Sequence, residues 1–142
     1  MHIVIVQINV KAVSKILSNF ARAAHLDHVR VYDANGWLVA FSDVEVGHFE
    51  YGYVSFSNQK PAFHVYSMDQ DKEKDQPDDA FWIGVIKSDH VYDERRIFYK
   101  ETVHGIAVES VSPIMRTFPD GSIVNVGHVI LTRFLTEDYF SG

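Results

Sequence analysis

The run from residue 123 to 131 carries apolar side chains at both parities, with Val124, Val126 and Ile130 on one side and Ile123, Val129 and Leu131 on the other. Successive side chains of a strand point to opposite faces, so such a run reads as a strand covered on both. The chain must therefore build a sheet with material packed on each side of it. At 142 residues it has the length for one domain with a sizeable core.

Two turn signals organise the strands. Asp33, Ala34, Asn35 and Gly36 separate two β-rich runs, 29–32 and 37–41; Asn35 and Gly36 tolerate positive φ and Asp33 can cap the turn with its carboxylate, which predicts a hairpin. Phe118, Pro119, Asp120 and Gly121 join 106–114 to 122–134 in a second hairpin. Residues 61–68, 81–86 and 95–104 read as further strands. Residues 42–60 show no defensible period and are expected to be loop with short helix or strand, while the polar stretch 69–79, with Pro77, is expected to be an exposed loop.

Near the N-terminus Ile3, Val6, Val10, Val13, Leu17, Phe20 and Ala24 recur in steps of three and four, the seam of an amphipathic helix. The β-branched residues Ile3, Val4, Ile5 and Val6 weaken its first turn, so the helix is expected over about 7–25. The seam is wider than one sheet covers, which predicts a homodimer through Val6, Val10, Val13 and Leu17. No N-cap precedes the helix, and Thr136, Glu137 and Asp138 open another at the far end. Both ends are thus expected to continue into flanking segments, the means by which the chain would meet a membrane.

Composition narrows the function. A net charge of −6 with scattered basic residues argues against nucleic acid. The absence of cysteine removes disulfides, thiolate metal sites and cysteine nucleophiles. No run approaches the ~18 apolar residues that span a bilayer.

The entry helix, the hairpin from Val29 through Asp33, Gly36 and Trp37 to Ala40, the variable middle, and a closing half with Ser112, Pro113, Ile114, the Asp120, Gly121 turn and Val126, Gly127, His128 together resemble the Cache sensor family. The resemblance implies an α+β, PAS-like fold in a single domain over 1–142, with the long N-terminal helix packed on a twisted antiparallel sheet spanning about 29–134. It implies a periplasmic or extracellular ligand-binding module of a bacterial transmembrane receptor (a histidine kinase, chemotaxis receptor or cyclic-dinucleotide enzyme), signalling through its terminal helices. The chain lacks the arginine, tryptophan, tyrosine and aspartate series of the amino-acid-binding members.

The expected ligand is a small polar metabolite such as an organic acid, with no cofactor and no metal. Arg95 and Arg96 offer forked donors to a carboxylate, and Tyr66, Trp82, Tyr99 and His104 supply walls. Rival chemistries read less well. His25 and His28 stand three apart but lack a carboxylate partner. The acids from Asp69 to Asp75 alternate as in a calcium loop, yet Lys74 stands where glycine is required and Ala80 where a bidentate glutamate is. Ser110, His104 and Glu109 lie close in sequence, but Glu109 and Ser110 point to opposite faces of one strand. The remaining alternatives are a cytoplasmic PAS-type binding domain and a small α+β enzyme.

Overall fold

The computed structural model describes residues 2–44, 49–67, 70–102 and 105–135, with the side chains of 2–9, 70 and 71 excepted. A helix, α1 (His2–Ala23), precedes β1 (His28–Asp33), β2 (Leu38–Asp43), β3 (Glu50–Ser57), β4 (Lys60–Ser67) and β5 (Gln70–Lys74). A one-turn helix, α2 (Phe81–Gly84), then leads to β6 (Arg96–Thr102), β7 (Gly105–Thr117) and β8 (Ile123–Leu135). Among the described residues the strands form one antiparallel sheet in the order β5-β4-β3-β2-β1-β8-β7-β6.

This corrects the expected α+β Cache architecture of a long helix on a sheet: the described residues are largely β, one eight-stranded sheet with a single long helix across part of one face. The difference lies in the middle of the chain. Residues 42–60 and 69–79 supply β3 and β5, which with β4 extend the sheet beyond β2. β3 hides its period of two because Glu50 and Gly52 share one face while Tyr51 and Tyr53 share the other, so neither face reads as apolar. β5, Gln70–Lys74, is wholly polar, as suits an edge strand that must not invite further pairing. Residues 81–86, expected as strand, form α2 and an irregular segment instead.

Both expected hairpins form. β1 pairs with β2 around a turn in which Asp33 Oδ1 accepts the amides of Asn35 (2.9 Å) and Trp37 (3.0 Å). Of the two residues credited with positive φ, only Gly36 adopts it, at +83°, and a Cβ there would stand 2.9 Å from the Ser88 carbonyl oxygen. β7 pairs with β8 along nearly their whole length.

The two sheet faces are covered differently. On one, α1 lies over β1, β2 and β3, setting the small buried Ser14, Ser18 and Ala21 against the strands so that its backbone approaches closely. Leu17 packs beside them with Val29, Val129 and Leu131. The other face carries the main apolar core, where Tyr32, Leu38, Phe41, Trp82, Val111 and Ile130 meet. There the segment 79–93 lies across the sheet, held by Leu38 N donating to Ile86 O (2.9 Å), the Tyr32 hydroxyl to Val85 O (2.6 Å) and Asn125 Nδ2 to Tyr92 O (2.9 Å).

Candidate functional site

Directly opposed residues of paired strands share a face, so register places side chains in rows across the sheet. One row runs through Glu50, Asp43, His28, Thr132, Glu109 and Phe98, from β3 to β6. Its polar members are almost fully buried, on the face opposite α1. Burial of so many polar groups is costly unless each finds a partner. Glu50 accepts the Asp78 amide (2.9 Å) and pairs with Lys74. Asp43 accepts the Trp82 indole N–H (2.9 Å), with His28 Nε2 at 3.5 Å from its other oxygen. Glu109 pairs with Arg30, accepts Thr132 Oγ1 (3.3 Å) and has Lys100 Nζ at 3.8 Å.

At the β6 end the row opens into a recess of about 180 Å³. His28, Arg30, Ala107, Glu109 and Thr132 form its floor, Lys100, Thr102 and Phe134 its sides, and Phe81 with Asp79 its roof. The floor is made by the even-numbered residues of β1 and of its neighbour β8 and, beyond β8, the odd-numbered residues of β7, an alternation the antiparallel register imposes. Phe81 stacks on the His28 ring (centroids 5.0 Å apart) and stands over the Arg30 guanidinium at 5.6 Å. Arg30 Nη1 donates to the Tyr32 hydroxyl (3.3 Å), while the buried Arg30 Nε has no hydrogen-bond partner among the described residues. A buried N–H without an acceptor is rare enough to mark a donor waiting for one.

Electrostatics follow the burial. Desolvation raises the Tyr32 phenol above its usual range despite the Arg30 charge beside it. Burial and then the Arg30 charge lower His128, which stacks on Tyr32 at 4.8 Å and so is held neutral.

The sequence-nominated residues are not brought together. Trp82 is fully buried beside the recess, between Phe41 and His28, and serves Asp43. Arg95 and Arg96 are exposed at the start of β6, with Arg96 opposite Val111 and outside the recess. Tyr99 points to the α1 face, away from the recess, and is exposed. Tyr66 also lies on the α1 side, beneath Lys11 Nζ at 4.3 Å from its ring. His104 falls outside the described residues. His25 is exposed at φ +57° just after α1 while His28 is buried in β1, so the two share no site.

Tyr66 belongs to a separate hydrogen-bonded chain on β3, β4 and β5. Ser55 Oγ lies 2.7 Å from His64 Nε2, His64 Nδ1 lies 3.0 Å from Glu73 Oε1, and the Tyr66 hydroxyl donates to that same oxygen at 2.6 Å. The order resembles a serine–histidine–acid relay, but the phenol shares the carboxylate and Tyr53 stacks on the imidazole at 4.4 Å. The chain ties the polar edge strand β5 to its neighbours. The Tyr66 bond, then His64, lowers Glu73, and burial next to Glu73 raises Tyr66.

Sequence reasoning missed Arg30, Lys100 and Thr132 and the place of His28 on the recess floor. The one legible signal was in β1, where His28, Arg30 and Tyr32 alternate with Val29 and Val31: a strand with one apolar face and one that is polar yet flanked by core strands. Set against family models, curated proteins and solved structures, the chain matches none.

Proposed function

We propose that the chain is a small-molecule-sensing domain that holds a compact carboxylate with an apolar body in the recess under Phe81. The observation that carries this reading is Arg30: a buried guanidinium on the recess floor, oriented by Glu109 and Tyr32, with its Nε unpartnered. Lys100 and Thr102 add donors at the rim, and Phe81 and Phe134 offer faces for the ligand's apolar part.

β1 supports sensing over simple storage. Its even residues line the recess and Val29, one of its odd residues, packs in the cluster with Leu17 of α1, so a ligand that shifts β1 acts on the helix through a single strand. A population shift needs only that differential contact. The setting we propose is the input module of a bacterial transmembrane signal receptor, outside the cytoplasm, as the sequence resemblance implies.

The test is a thermal-shift series with benzoate, phenylacetate and isovalerate, read with mass spectrometry of the ligand. Saturation at about 100 times Kd stabilises a fold by roughly 2.7 kcal/mol. The wild type is expected to shift without consuming the acid, Lys100→Ala to shift less, and Ala107→Leu, which fills the floor, not at all. No shift with any carboxylate, or an undiminished shift in Ala107→Leu, refutes the site; steady turnover refutes the sensor reading and makes the His28–Asp43 pair a catalytic candidate.

A further inference from the structure

A hydroxyl, an imidazole and a carboxylate meet at the far end of the sheet from the recess and on its other face. Ser55 comes from β3, His64 from β4 and Glu73 from β5, three neighbouring strands. Register brings the first two together: Ser55 stands opposite Ala62 and Tyr53 opposite His64, so Ser55 and His64 are diagonal neighbours on the face that Tyr66 shares with α1. The site is open. His64 is 26% exposed, Ser55 is half-buried and Ala62 beside it is exposed.

The hydrogen bonds have one consistent direction. The Tyr66 hydroxyl, and then His64, lower the Glu73 carboxyl, so it is ionised and can only accept. Glu73 Oε1 therefore takes its bond from His64 Nδ1–H at 3.0 Å, which leaves Nε2 of the neutral ring as an acceptor. The Ser55 hydroxyl donates to that nitrogen at 2.7 Å. Tyr53 lies flat on the imidazole, 4.4 Å away and 8° from parallel, and fixes its plane. The phenol and the stacked ring thus hold the order of the three groups. A purely structural tie has no use for the serine: β3 and β4 are already paired from Glu50–Ser67 to Ser57–Lys60, and β5 is held by the bonds that His64 and Tyr66 make to Glu73.

We propose that Ser55 is a catalytic nucleophile toward esters of small acids, with His64 as its general base and Glu73 positioning the imidazole. Ser55 Oγ attacks the ester carbonyl carbon while its proton passes to His64 Nε2, and Glu73 stabilises the imidazolium that forms. Lys60, exposed and diagonal to Ser55 across from Ser57, is the cation placed to meet the charge developing on the carbonyl oxygen. The intermediate collapses, the bond to the alcohol oxygen breaks, and the alcohol leaves with the proton from His64. Water then gives a proton to Nε2 and attacks the acyl carbon; the acid departs and Ser55 Oγ regains its proton. Ester and water become acid and alcohol with nothing else consumed. The small methyl of Ala62 beside the hydroxyl leaves room for a small acyl group. Because this site and the recess lie on opposite faces, each reading stands without the other.

The experiment treats the full chain with a fluorophosphonate probe and, separately, with p-nitrophenyl acetate. Peptide mass spectrometry is expected to find the phosphonyl adduct on Ser55, and p-nitrophenol release is expected to continue over many turnovers. Release should fall by about a hundredfold or more in Ser55→Ala and in His64→Gln, and Glu73→Gln should slow both labelling and release. Ser55→Ala removes one half-buried hydroxyl, so its melting curve should match that of the wild type and the lost activity is not unfolding. A wild type without the adduct on Ser55, or without repeated turnover of the ester, overturns the proposal. Release that persists in Ser55→Ala also overturns it, because the imidazole would then be the nucleophile.

Discussion

The two faces of β1 solve the same burial problem by opposite means. Val29 and Val31 point to the α1 side, where small residues let a helix lie close and few polar groups need satisfying. His28, Arg30 and Tyr32 point to the other side, where charge is buried and kept there by pairing: Arg30 with Glu109, Tyr32 with Arg30 and Val85, and Asp43 with Trp82. The apolar face depends on volume and tolerates loss of chemistry. The polar face depends on partners and tolerates almost no loss of one alone. A site that must accept a ligand anion is built on the second kind of face, because only there can a donor be desolvated and still held in place.

The sharpest test of this contrast is Arg30→Ala, which leaves Glu109 in a buried wall without its main cation. It is expected to cost about 3–5 kcal/mol in urea unfolding, whereas Arg30→Met combined with Glu109→Leu should recover most of that loss while abolishing ligand binding. An Arg30→Ala variant as stable as the wild type would show that the floor is wet and the contrast false. On the apolar face the corresponding change is one of volume. Ser18→Leu forces extra methyl groups between α1 and the sheet and should cost about 1–3 kcal/mol, against a change within about 0.5 kcal/mol for Asn19→Leu on the exposed side.

His128 tests whether the polar face excludes protons. Its folded pKa is lowered by burial and the Arg30 charge, so the unfolded chain binds the proton first. Stability from this group is full above the ordinary imidazole value near 6.5 and is lost as pH falls from there through the folded pKa, at no more than about 1.4 kcal/mol per pH unit. Urea midpoints between pH 5 and 7.5 should fall more steeply toward acid for the wild type than for His128→Phe; parallel curves would mean the ring is reached by water. The smallest effect is expected from Tyr66→Phe, which removes one donor to Glu73 on a partly open part of the sheet. A loss of about 1 kcal/mol or less in the same assay fits a network that ties down an edge strand. A loss as large as that of Arg30→Ala would place a second high-stakes cluster on the α1 side.

The candidate site was only faintly legible in the sequence. Trp82 was singled out as a wall; it lies next to the recess, outside its lining, and donates its indole N–H to Asp43. Tyr99 and Tyr66 were grouped with it because they are aromatic and sit on strands; register sends both to the opposite face. A parity argument within one strand tells which residues share a face of that strand and says nothing of which face of the sheet that is. The recess needs four strands, β1, β8, β7 and β6, in one register, plus α2 in its roof, and these are separated by up to about a hundred residues of chain.

By itself the sequence determined the two hairpins and the helix that precedes them, since turn chemistry and hydrophobic period act over a few residues; the expected cover on both sides of β8 holds only for its later part, because Ile123 and Val124 stand exposed. Its reading missed the full width of the sheet, because β3 and β5 carry no apolar alternation and are strands only through the neighbours that accept their backbone hydrogen bonds. Tertiary structure alone decided that Arg30 meets Glu109, residues 79 positions apart, and that α1 faces inward with its serines. Both outcomes depend on which surfaces come into contact, a property of packing that no local pattern encodes.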